Sequence, residues 1–379
     1  MLKKNRLILL CVCALIFLVA TPYILLYSLG YRVDFWNRKI VATGGIYVRV
    51  QPPQVQVVID GKTQDHTSVL SNSVFFQNLL PGLHDVSIKK DGYVDYQKNL
   101  LVPEKEVAKL ENVLLIKKEI AFKLLPATES PFDQPKETDN YILKSNALYY
   151  APVKNTPVSA TTPLLKNVAS FTISNNAIIW LGLDGVLYRS DSQGLQTTPQ
   201  TSVPLAINKK NTYQISVLGQ YTFLQANDTL YLLDADKQSW QSFYQPVHTV
   251  KLSPDGQKIT YVNDHEVFIW YVNNAKTTAS GGVPSSGGKD KVLLKNFTEK
   301  ISDVYWLNSD YLILNTDNGI MISEIDERNN VNVVTLPATT LVDGNIMTIK
   351  NPKILFDQQT KKLYILTGNT VLVSERLVP

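Results

Sequence analysis

The sequence predicts a mainly β protein with one N-terminal transmembrane helix, a small β-sandwich and a β-propeller of about six blades. Three observations predict this: an apolar run from Leu7 to Leu29, alternating short strands from Gly44 to Ile116, and a strand–turn–strand pattern that recurs roughly every 40 residues after residue 140. The predicted parts are residues 1–30 for a cytoplasmic tip and anchor, 44–116 for the sandwich, 117–140 for a linker and 141–379 for the propeller.

Composition excludes several classes of protein. The chain has 379 residues with 37 basic and 33 acidic side chains, a net charge of +4, and 44% apolar residues, which excludes a chain that is disordered throughout. The charge is small and forms no dense basic stripe, so we expect no nucleic-acid partner. Four histidines, two cysteines and three methionines leave few metal ligands or nucleophiles. We therefore expect no metal and no cofactor.

The apolar run predicts a membrane anchor, with the lipid bilayer as the partner of Leu7 to Leu29. As a helix it would be about 34 Å long, enough for a hydrocarbon core of roughly 30 Å. Basic residues precede it, which favours a cytoplasmic N-terminus and extracytoplasmic C-terminal domains in the cell membrane. The basic residues that favour this orientation are Lys3, Lys4 and Arg6. Aromatic residues cluster at the far end of the run, at Tyr23, Tyr27, Tyr31 and Trp36.

A cleaved signal peptide is the alternative interpretation of this segment. The run is too long for an ordinary signal sequence, and the small residue at Ala20 has Leu18 two positions before it and Pro22 soon after. We therefore expect the anchor to stay uncleaved. Cys11 and Cys13 lie two residues apart in the run and would point to different helix faces, so they do not form a metal pair.

From Gly44 onward, apolar residues alternate with polar or aromatic residues along short predicted strands. Apolar residues at Ile46, Val48 and Val50 alternate with polar or aromatic ones, and the next such strand stops at Asp60-Gly61, a hairpin turn signal. Five to seven short strands in about 70 residues predict a small sandwich.

The segment from Gly45 to about Leu115 resembles the PEGA domain family. The motifs that carry the resemblance are Ile59-Asp60-Gly61-Lys62, Leu80-Pro81-Gly82-Leu83-His84-Asp85-Val86 and Lys90-Asp91-Gly92-Tyr93. The resemblance implies a transthyretin-like sandwich of bacterial surface and envelope proteins, with no enzymatic activity. One departure is that Pro52-Pro53-Gln54-Val55 stands where the family has Pro-Glu-Gly-Ala, so the first turn must differ.

We interpret the motif residues as structural. Gly82 and Gly92 permit turns with positive φ, and Pro81 presets one of them. The ring of Tyr93 should pack while its hydroxyl reaches the backbone. His84 has no metal-ligating neighbours in the sequence, which favours a structural role. The motif set is Asp60, Gly61, Pro81, Gly82, His84, Gly92 and Tyr93.

The rest of the chain repeats. Pro126 to Asn140 is rich in proline and acidic residues and predicts a linker. Six similar strands then begin near Ala147, Val186, Thr229, Glu266, Gly319 and Thr370. The Gly- and Ser-rich segment Asn273 to Asp290 predicts a flexible insertion. Six repeats favour a six-bladed ring, with five or seven blades, a long sandwich or a solenoid as alternatives. We expect a strand near Tyr141 to complete the last blade.

One repeat has a well-formed turn. Ser253, Pro254, Asp255 and Gly256 separate two strands, and this turn resembles those in the propellers of TolB and of prolyl-oligopeptidase relatives. We assign these four residues a structural role in the blade.

Catalytic patterns are incomplete. His265-Glu266 could begin a zinc-protease motif, but Ile269 stands where the second histidine belongs. Asp234, Asp236 and Gln238 have only part of the spacing of a calcium loop. We therefore assign no catalytic, cofactor-binding or metal-binding residue.

Three functions fit these features. The first is a non-enzymatic binding or scaffold protein of the cell envelope, with the sandwich as a stalk or wall contact. Its propeller would be a platform for an envelope protein or a cell-wall polysaccharide. The second is a hydrolase or lyase that acts on envelope glycan or peptide, because propellers can host chemistry in their central channel. The third is a structural part of a secretion or division assembly.

Overall fold

The computed structural model describes residues 3–34, 39–67, 71–132, 137–151, 162–272, 291–342 and 344–378. It confirms the predicted fold class, since one N-terminal apolar helix precedes many small β-sheets. Helix α1 is Lys3–Ser28, and a hairpin of β1 (Tyr31–Asp34) and β2 (Lys39–Ala42) follows it. Trp36 and the predicted insertion Asn273 to Asp290 lie outside the described residues.

Helix α1 contains the one membrane-length apolar span among the described residues. Leu10–Ser28 has 19 residues and a mean hydropathy of 2.4, and none of it is buried against the rest of the chain. By length and composition it suits a membrane crossing, and an N-terminal signal sequence has the same character.

Seven strands form the sandwich, in two sheets. Their order is β6-β3-β9 in one sheet and β5-β4-β7-β8 in the other. The strands are β3 (Gly44–Gln51), β4 (Gln56–Ile59), β5 (Thr63–His66), β6 (Ser73–Leu79), β7 (Gly82–Lys89), β8 (Tyr96–Val102) and β9 (Val107–Leu114).

The alternating apolar residues form the core between these sheets. Ile46, Val48 and Val50 of β3 are fully buried, as the alternation predicts, because every second side chain of a strand points to the same face. Strands β3 and β9 pair in parallel, so both run from the helix end of the sandwich to its far end.

Six sheets follow, which we number as blades 1 to 6. All lie within residues 122–376, and the six predicted repeat strands fall on β12, β16, β20, β24, β28 and β34. Blade 1 contains β11 (Tyr141–Lys144), β12 (Ala147–Tyr150) and β13 (Leu165–Lys166). Blade 2 contains β14 (Val168–Ser174), β15 (Ala177–Gly182), β16 (Leu187–Asp191) and β17 (Thr198–Pro199). Blade 3 contains β18 (Tyr213–Leu218), β19 (Tyr221–Ala226), β20 (Thr229–Asp234) and β21 (Ser239–Tyr244).

The later sheets are blades 4 to 6, with a separate two-stranded hairpin between blades 5 and 6. Blade 4 contains β22 (Thr249–Leu252), β23 (Lys258–Val262), β24 (Glu266–Tyr271) and β25 (Lys291–Asn296). Blade 5 contains β26 (Ile301–Trp306), β27 (Tyr311–Thr316), β28 (Gly319–Glu324) and β29 (Val333–Thr335). The hairpin is β30 (Thr339–Val342) and β31 (Asn345–Thr348). Blade 6 contains β32 (Lys353–Asp357), β33 (Lys362–Thr367), β34 (Thr370–Arg376) and the early strand β10 (Phe122–Leu125).

Neighbouring blades stack through separate hydrophobic clusters. One cluster joins each adjacent pair from blades 1 and 2 to blades 5 and 6. The first strands of blades 2 to 6 also contact one another in chain order. This arrangement is propeller-like, because each sheet has two apolar faces that only its neighbours cover.

Blade 6 is completed by β10, which lies inside the segment predicted as a linker. Phe122 and Lys123 pair with Ser374 and Val373 of β34. The prediction that a strand near Tyr141 completes this blade is wrong, because β11 pairs with β12 in blade 1. The physical reason is that Phe122 is buried in the cluster between blades 5 and 6, whereas most of β11 is exposed. The domain bounds themselves stay a prediction.

Candidate binding site at the open end of the propeller

Hydrogen bonds join the end of the helix to the near end of the sandwich. The backbone N–H and the hydroxyl of Thr43 both donate to the carbonyl of Gly30, at 2.8 and 2.6 Å. Arg32 donates to the carbonyl of Tyr27 and to Oδ1 of Asn78 in β6, each at 2.8 Å. From this point β3 runs eight residues, about 25 Å, to the far end of the sandwich.

A buried lysine joins the sandwich to the propeller. Lys98 of β8 is fully buried, and its Nζ lies 2.7 Å from Oε1 of Glu324, at the end of β28. The same ammonium donates to the carbonyls of Asp326 and Asn330, at 2.6 and 2.7 Å. The hydroxyl of Tyr96 donates to Oε2 of Glu324 at 2.8 Å. This junction therefore satisfies both charges with geometry that a buried ion pair requires.

The loop after β28 also covers the free edge of β8. Asn330 donates its amide to the carbonyl of Gln97 at 2.9 Å, and Asn329 donates to the carbonyl of Asn99. Covering an edge strand in this way protects it from pairing with another chain. The end of the propeller that faces the sandwich is thus closed at blade 5.

Sequence reasoning missed this junction, although one signal was present. Lys98 lies in the inward phase of β8, between the buried residues Tyr96 and Leu100. A lysine in that phase indicates a buried partner. The partner, Glu324, lies 226 positions further along the chain, so no local pattern could name it.

Two of the motif residues in the sandwich, Asp60 and His84, lie together. Oδ2 of Asp60 lies 2.7 Å from Nδ1 of His84, and the carbonyl of Leu80 lies 2.7 Å from Nε2. Both ring nitrogens thus face oxygen acceptors, and Oδ1 of Asp60 accepts from the N–H of Asp85 at 3.0 Å. These bonds hold the turn after β4 against the start of β7. Among the described residues, no group of three His, Cys, Asp or Glu side chains is placed to hold a metal ion.

The remaining motif residues lie at turns of the sandwich. Gly61 follows Asp60 with φ of 66°, Pro81 immediately precedes β7, Gly82 is its first residue, and Gly92 has φ of 81°. Tyr93 packs against the sandwich core.

The Ser253–Gly256 turn lies between β22 and β23. The hydroxyl of Ser253 donates to Asp255 and accepts the N–H of Lys258 at 2.9 Å. Gly256 has φ of 70° and donates its N–H to the carbonyl of Ser253. Nζ of the buried Lys258 lies 2.8 Å from Oδ2 of Asp255. Burial raises the pKa of Asp255, but hydrogen bonds from Lys258 and Ser253 outweigh burial and hold that pKa below its usual value.

This turn gives a pH prediction. A carboxyl whose pKa is lower in the folded state stabilises the fold above its unfolded pKa and stops doing so as pH falls through the folded pKa. We expect Asp255→Asn to lower the free energy of unfolding by about 1–3 kcal/mol near neutral pH. We also expect a weaker loss of stability on acidification than in the parent chain. Urea unfolding over a pH series measures both effects.

The matched control is Asp95→Asn, which removes an exposed carboxylate paired with Lys89 at 3.6 Å. It should change neither quantity appreciably, because exposed ion pairs contribute little. An Asp255→Asn chain whose stability follows pH like the parent would contradict the prediction.

Three cavities lie at the opposite, open end of the propeller, and the first two of them adjoin. Strand β26 runs from this end at Ile301 towards the sandwich-facing turn that holds Asp310. The cavities have volumes of about 620, 340 and 530 Å³. Asp317, Asn351 and Pro352 line the first two. We call the three cavities together the open-end groove.

An ion pair lies between the lining of the third cavity and that of the first. Nζ of Lys300, which lines the 620 Å³ cavity, lies 3.1 Å from Oδ1 of Asp264, which lines the 530 Å³ cavity. Nε2 of His248 lies 2.8 Å from the same oxygen. The hydrogen bond from Lys300 is the main cause that holds the pKa of Asp264 below its usual value.

The wall of the 620 Å³ cavity combines an aromatic ring with polar groups. Tyr305 of β26 is half-buried, and burial together with nearby Asp303 raises the pKa of its hydroxyl. Nζ of Lys251 lies 4.9 Å from the centre of the Tyr305 ring. Lys353 opens β32 and is exposed in the same cavity.

Asn315 holds an unpaired oxygen in the same wall. Its Nδ2 donates to the carbonyl of Pro352 at 2.8 Å, and its backbone carbonyl accepts from the hydroxyl of Ser302 at 3.0 Å. Oδ1 of this 7%-exposed residue has no hydrogen-bond partner among the described residues. The amide cannot be reversed, because Pro352 offers only an acceptor.

The residues of the incomplete catalytic and calcium-loop patterns lie in two different parts of the propeller. Asp264, His265 and Glu266 line the groove, and His265 lies in the turn before strand β24 rather than on a helix. Asp234 lies at a hairpin turn and accepts the N–H of Lys237. Among the described carboxyl groups, those with a raised pKa are Asp310 and Glu324, both at the sandwich junction and both raised chiefly by burial.

Comparisons with known proteins add little beyond shape. No protein-family model matches the chain, and no curated protein matches it. Solved structures that resemble it include the extracellular domain of a B. thetaiotaomicron protein described as a hybrid two-component system. That domain is 15% identical, with a TM-score of 0.40 over 78% of this chain and 37% of its own.

Two further solved structures show a similar degree of likeness. The same extracellular domain, described as a one-component system, has 15% identity and a TM-score of 0.39, with 78% and 37% covered. YCF48 bound to D1 peptide has 10% identity and a TM-score of 0.37, with 87% of this chain and 94% of that chain covered. The chain thus spans just over a third of the first two. The class of protein rests on its own architecture: an apolar N-terminal helix, a sandwich and a propeller-like ring of sheets.

Proposed function

We propose that the chain is a membrane-anchored, extracytoplasmic, non-enzymatic binding or scaffold protein of the cell envelope. One observation carries this proposal: the sandwich packs against one end of the propeller at blade 5, while cavities lie at the opposite end. Helix, sandwich and groove follow one another, so the groove lies furthest from the helix.

The helix serves as an uncleaved anchor in this proposal. The guanidinium of Arg32, in β1, lies 3.4 Å from the centre of the Tyr27 ring in the last turns of the helix, and it also donates to Asn78 of the sandwich. These contacts support a helix that stays with the domain it precedes. The basic residues before the apolar run favour a cytoplasmic N-terminus.

The sandwich serves as a stalk. Its resemblance to the PEGA family supports a place in the envelope, and the same resemblance makes a wall contact plausible for its exposed face. The buried bonds of Lys98 support a stalk that holds the propeller in one orientation. A platform held in this way can present its groove to a large partner such as an envelope protein or a cell-wall polysaccharide.

The non-enzymatic assignment is supported by where the titratable groups lie. A hydrolase or lyase needs an acid or base of tuned pKa at the place where substrate binds. The described carboxyl groups with raised pKa lie at the sandwich junction, each already partnered, and not in the groove. This placement of the two raised carboxyl groups supports a binding role for the groove.

Photo-crosslinking in intact cells tests this proposal. A benzophenone amino acid at Lys353, in the groove, should give adducts of the full chain with an envelope component. The matched control is the same amino acid at Ser242, which is exposed on the outer strand of blade 3. Adducts from both positions alike, or from neither, would contradict a binding role for the groove.

A further inference from the structure

We propose that the near end of the sandwich docks on the lipid bilayer, with Leu83 and Leu101 inserted into its headgroup layer. This inference rests on the proposed membrane anchor and adds a second membrane contact to it. The juxtaposition that carries it is a pair of exposed leucines that lies beside the point where the apolar helix ends. We call Leu83 and Leu101 the leucine pair.

The leucine pair is the apolar end of an otherwise polar strand face. Leu83 of β7 and Leu101 of β8 lie opposite one another in register, and they are 60% and 64% exposed. The other outward side chains of β8 are Gln97 and Asn99, because every second side chain of a strand points to the same face. The carbonyls of Gln97 and Asn99 accept from the propeller loop after β28. The outward face of β8 therefore changes from polar at the propeller to apolar at the near end.

Other exposed apolar side chains of this part of the chain also lie towards the helix. Among the residues between helix and propeller whose side chains the structure describes, the large apolar ones exposed besides the leucine pair are Ile40 and Phe75. Ile40 belongs to β2, in the hairpin that joins the helix to the sandwich. The ring of Phe75 lies so close to Gly45, the second residue of β3, that a Cβ added there would be 2.8 Å from it. Exposed apolar surface is thus concentrated at the helix end of the sandwich.

A short series of contacts connects the end of the helix to the leucine pair. Gly30 accepts both hydrogen bonds from Thr43. Gly44 comes next in the chain, and a Cβ added to it would lie 2.5 Å from the side chain of Val102. Val102 is the neighbour of Leu101 in β8. The leucine pair therefore lies at the same end of the sandwich as the helix.

A helix that crosses the bilayer places this end of the sandwich in the headgroup layer. The apolar span ends at Ser28, and the N–H groups of Leu29 and Gly30 still donate to carbonyls of the last helical turns. Gly30 is therefore only about 3 Å beyond the span. The headgroup layer is about 5–8 Å thick on each side of the hydrocarbon core. Leucines exposed at this level leave water for the boundary of the acyl chains, which is where amphipathic surfaces bind.

The charges at the near end favour an apolar contact over an electrostatic one. Two exposed lysines, Lys39 and Lys105, are matched by two exposed glutamates, Glu104 and Glu106. Arg32 adds one positive charge, whereas recognition of anionic lipids takes a cluster of roughly four to eight basic residues. A zwitterionic lipid surface should therefore be sufficient.

Quenching by nitroxide-labelled lipids tests this inference on the full chain in phosphatidylcholine vesicles. Cys11 and Cys13 are replaced by serine, and Leu83→Cys or Leu101→Cys carries an environment-sensitive fluorophore. Lipids with a nitroxide just below the headgroup should quench both probes strongly, because interfacial apolar groups reach about 5–10 Å into this layer. Rising salt should leave the quenching unchanged, because the contact is apolar.

The matched control is Lys89→Cys with the same fluorophore. Lys89 is exposed in the same outward phase of β7 as Leu83, six residues further from the helix. That spacing is about 20 Å along a strand, so the control probe should be quenched severalfold less. Thermal unfolding checks that each labelled variant is folded, and either leucine position alone decides the matter if the other variant does not fold.

A probe on the helix separates this inference from the anchor on which it rests. It is attached to Cys13 in a chain with only Cys11 replaced by serine, and lipids with a nitroxide on the acyl chain should quench it. Quenching at Cys13 without quenching at the leucine pair overturns the docking and leaves the anchor standing. No quenching at any position overturns both.

Two further results would also overturn the docking. Quenching at Lys89 equal to that at the leucine pair would show that the bilayer does not select the near end. Emission from the leucine pair that shifts to shorter wavelength without quenching would show that protein, such as a second copy of the chain, covers the leucines.

Discussion

Replacing Lys98 by methionine is expected to lower the free energy of unfolding by about 3–5 kcal/mol, because it leaves the carboxylate of Glu324 buried without its cation. The carbonyls of Asp326 and Asn330 lose their donor in the same step. The measurement is urea or thermal unfolding of the full chain in detergent. This is one of the largest effects that a single substitution should produce here.

The double variant Lys98→Met with Glu324→Gln should recover most of that loss. An uncharged amide at position 324 can still accept from Asn332 and pair with Tyr96, and burying it costs far less than burying an unpaired charge. The control is Lys89→Met, since Lys89 is exposed in the neighbouring strand β7 and pairs only with exposed Asp95. A Lys98→Met loss no greater than the Lys89→Met loss would contradict the description of the junction.

The same substitution should show a characteristic pH dependence. Burial raises the pKa of Glu324, so the folded chain binds its proton more tightly than the unfolded chain does. Stability attributable to this group therefore falls as pH rises above the usual glutamate range. Without Lys98 this trend steepens, and we expect the Lys98→Met penalty to shrink as pH is lowered towards that range.

Replacing Lys123 by proline is expected to destabilise the propeller by about 2–3 kcal/mol, because it removes a hydrogen bond that joins β10 to β34. The N–H of Glu375 donates to the carbonyl of Ala121, and bonded pairs alternate along antiparallel strands, so Lys123 is in the next bonded pair with Val373. The lysine side chain is exposed, so the effect comes from the backbone. Thermal unfolding should show a midpoint lower by about 4–12 °C.

Lys123→Ala is the matched control, since it removes the same side chain and keeps the N–H. It should unfold close to the parent. Equal stability of the alanine and proline variants would show that β10 does not hold blade 6.

The alternating pattern was sufficient to predict the sandwich and the repeat. Ile46, Val48 and Val50 point inward because a strand has a period of two, and this depends only on neighbours in the sequence. The repeat strands near Thr229 and Glu266 begin β20 and β24 for the same reason. Sequence analysis assigns Asp60 and His84 structural roles, and their contact with each other is seen only in the structure.

Features that depend on distant residues could not be predicted in this way. Strand β10 has only four residues and precedes a proline-rich stretch, so its pairing with β34 leaves no local signature. The open-end groove is formed by turns of separate blades, and Lys300 meets Asp264 only after the sheets stack. The buried partner of Lys98, Glu324, could not be predicted from the sequence either, because it lies 226 positions further along the chain.

Strand β10 completes blade 6 by pairing with its last strand, β34. Disulfide trapping tests it most directly, in a full chain with Cys11 and Cys13 replaced by serine and cysteines at Lys123 and Val373, which face one another in register. Paired strand residues at this spacing are within reach of a disulfide. The control carries cysteines at Lys144 and Val373, because Lys144 belongs to β11, which pairs with β12 in blade 1. We predict that mild oxidation links the first pair nearly completely and the second pair hardly at all, and the reverse result, with Lys144 linked to Val373, would contradict the pairing of β10 with β34.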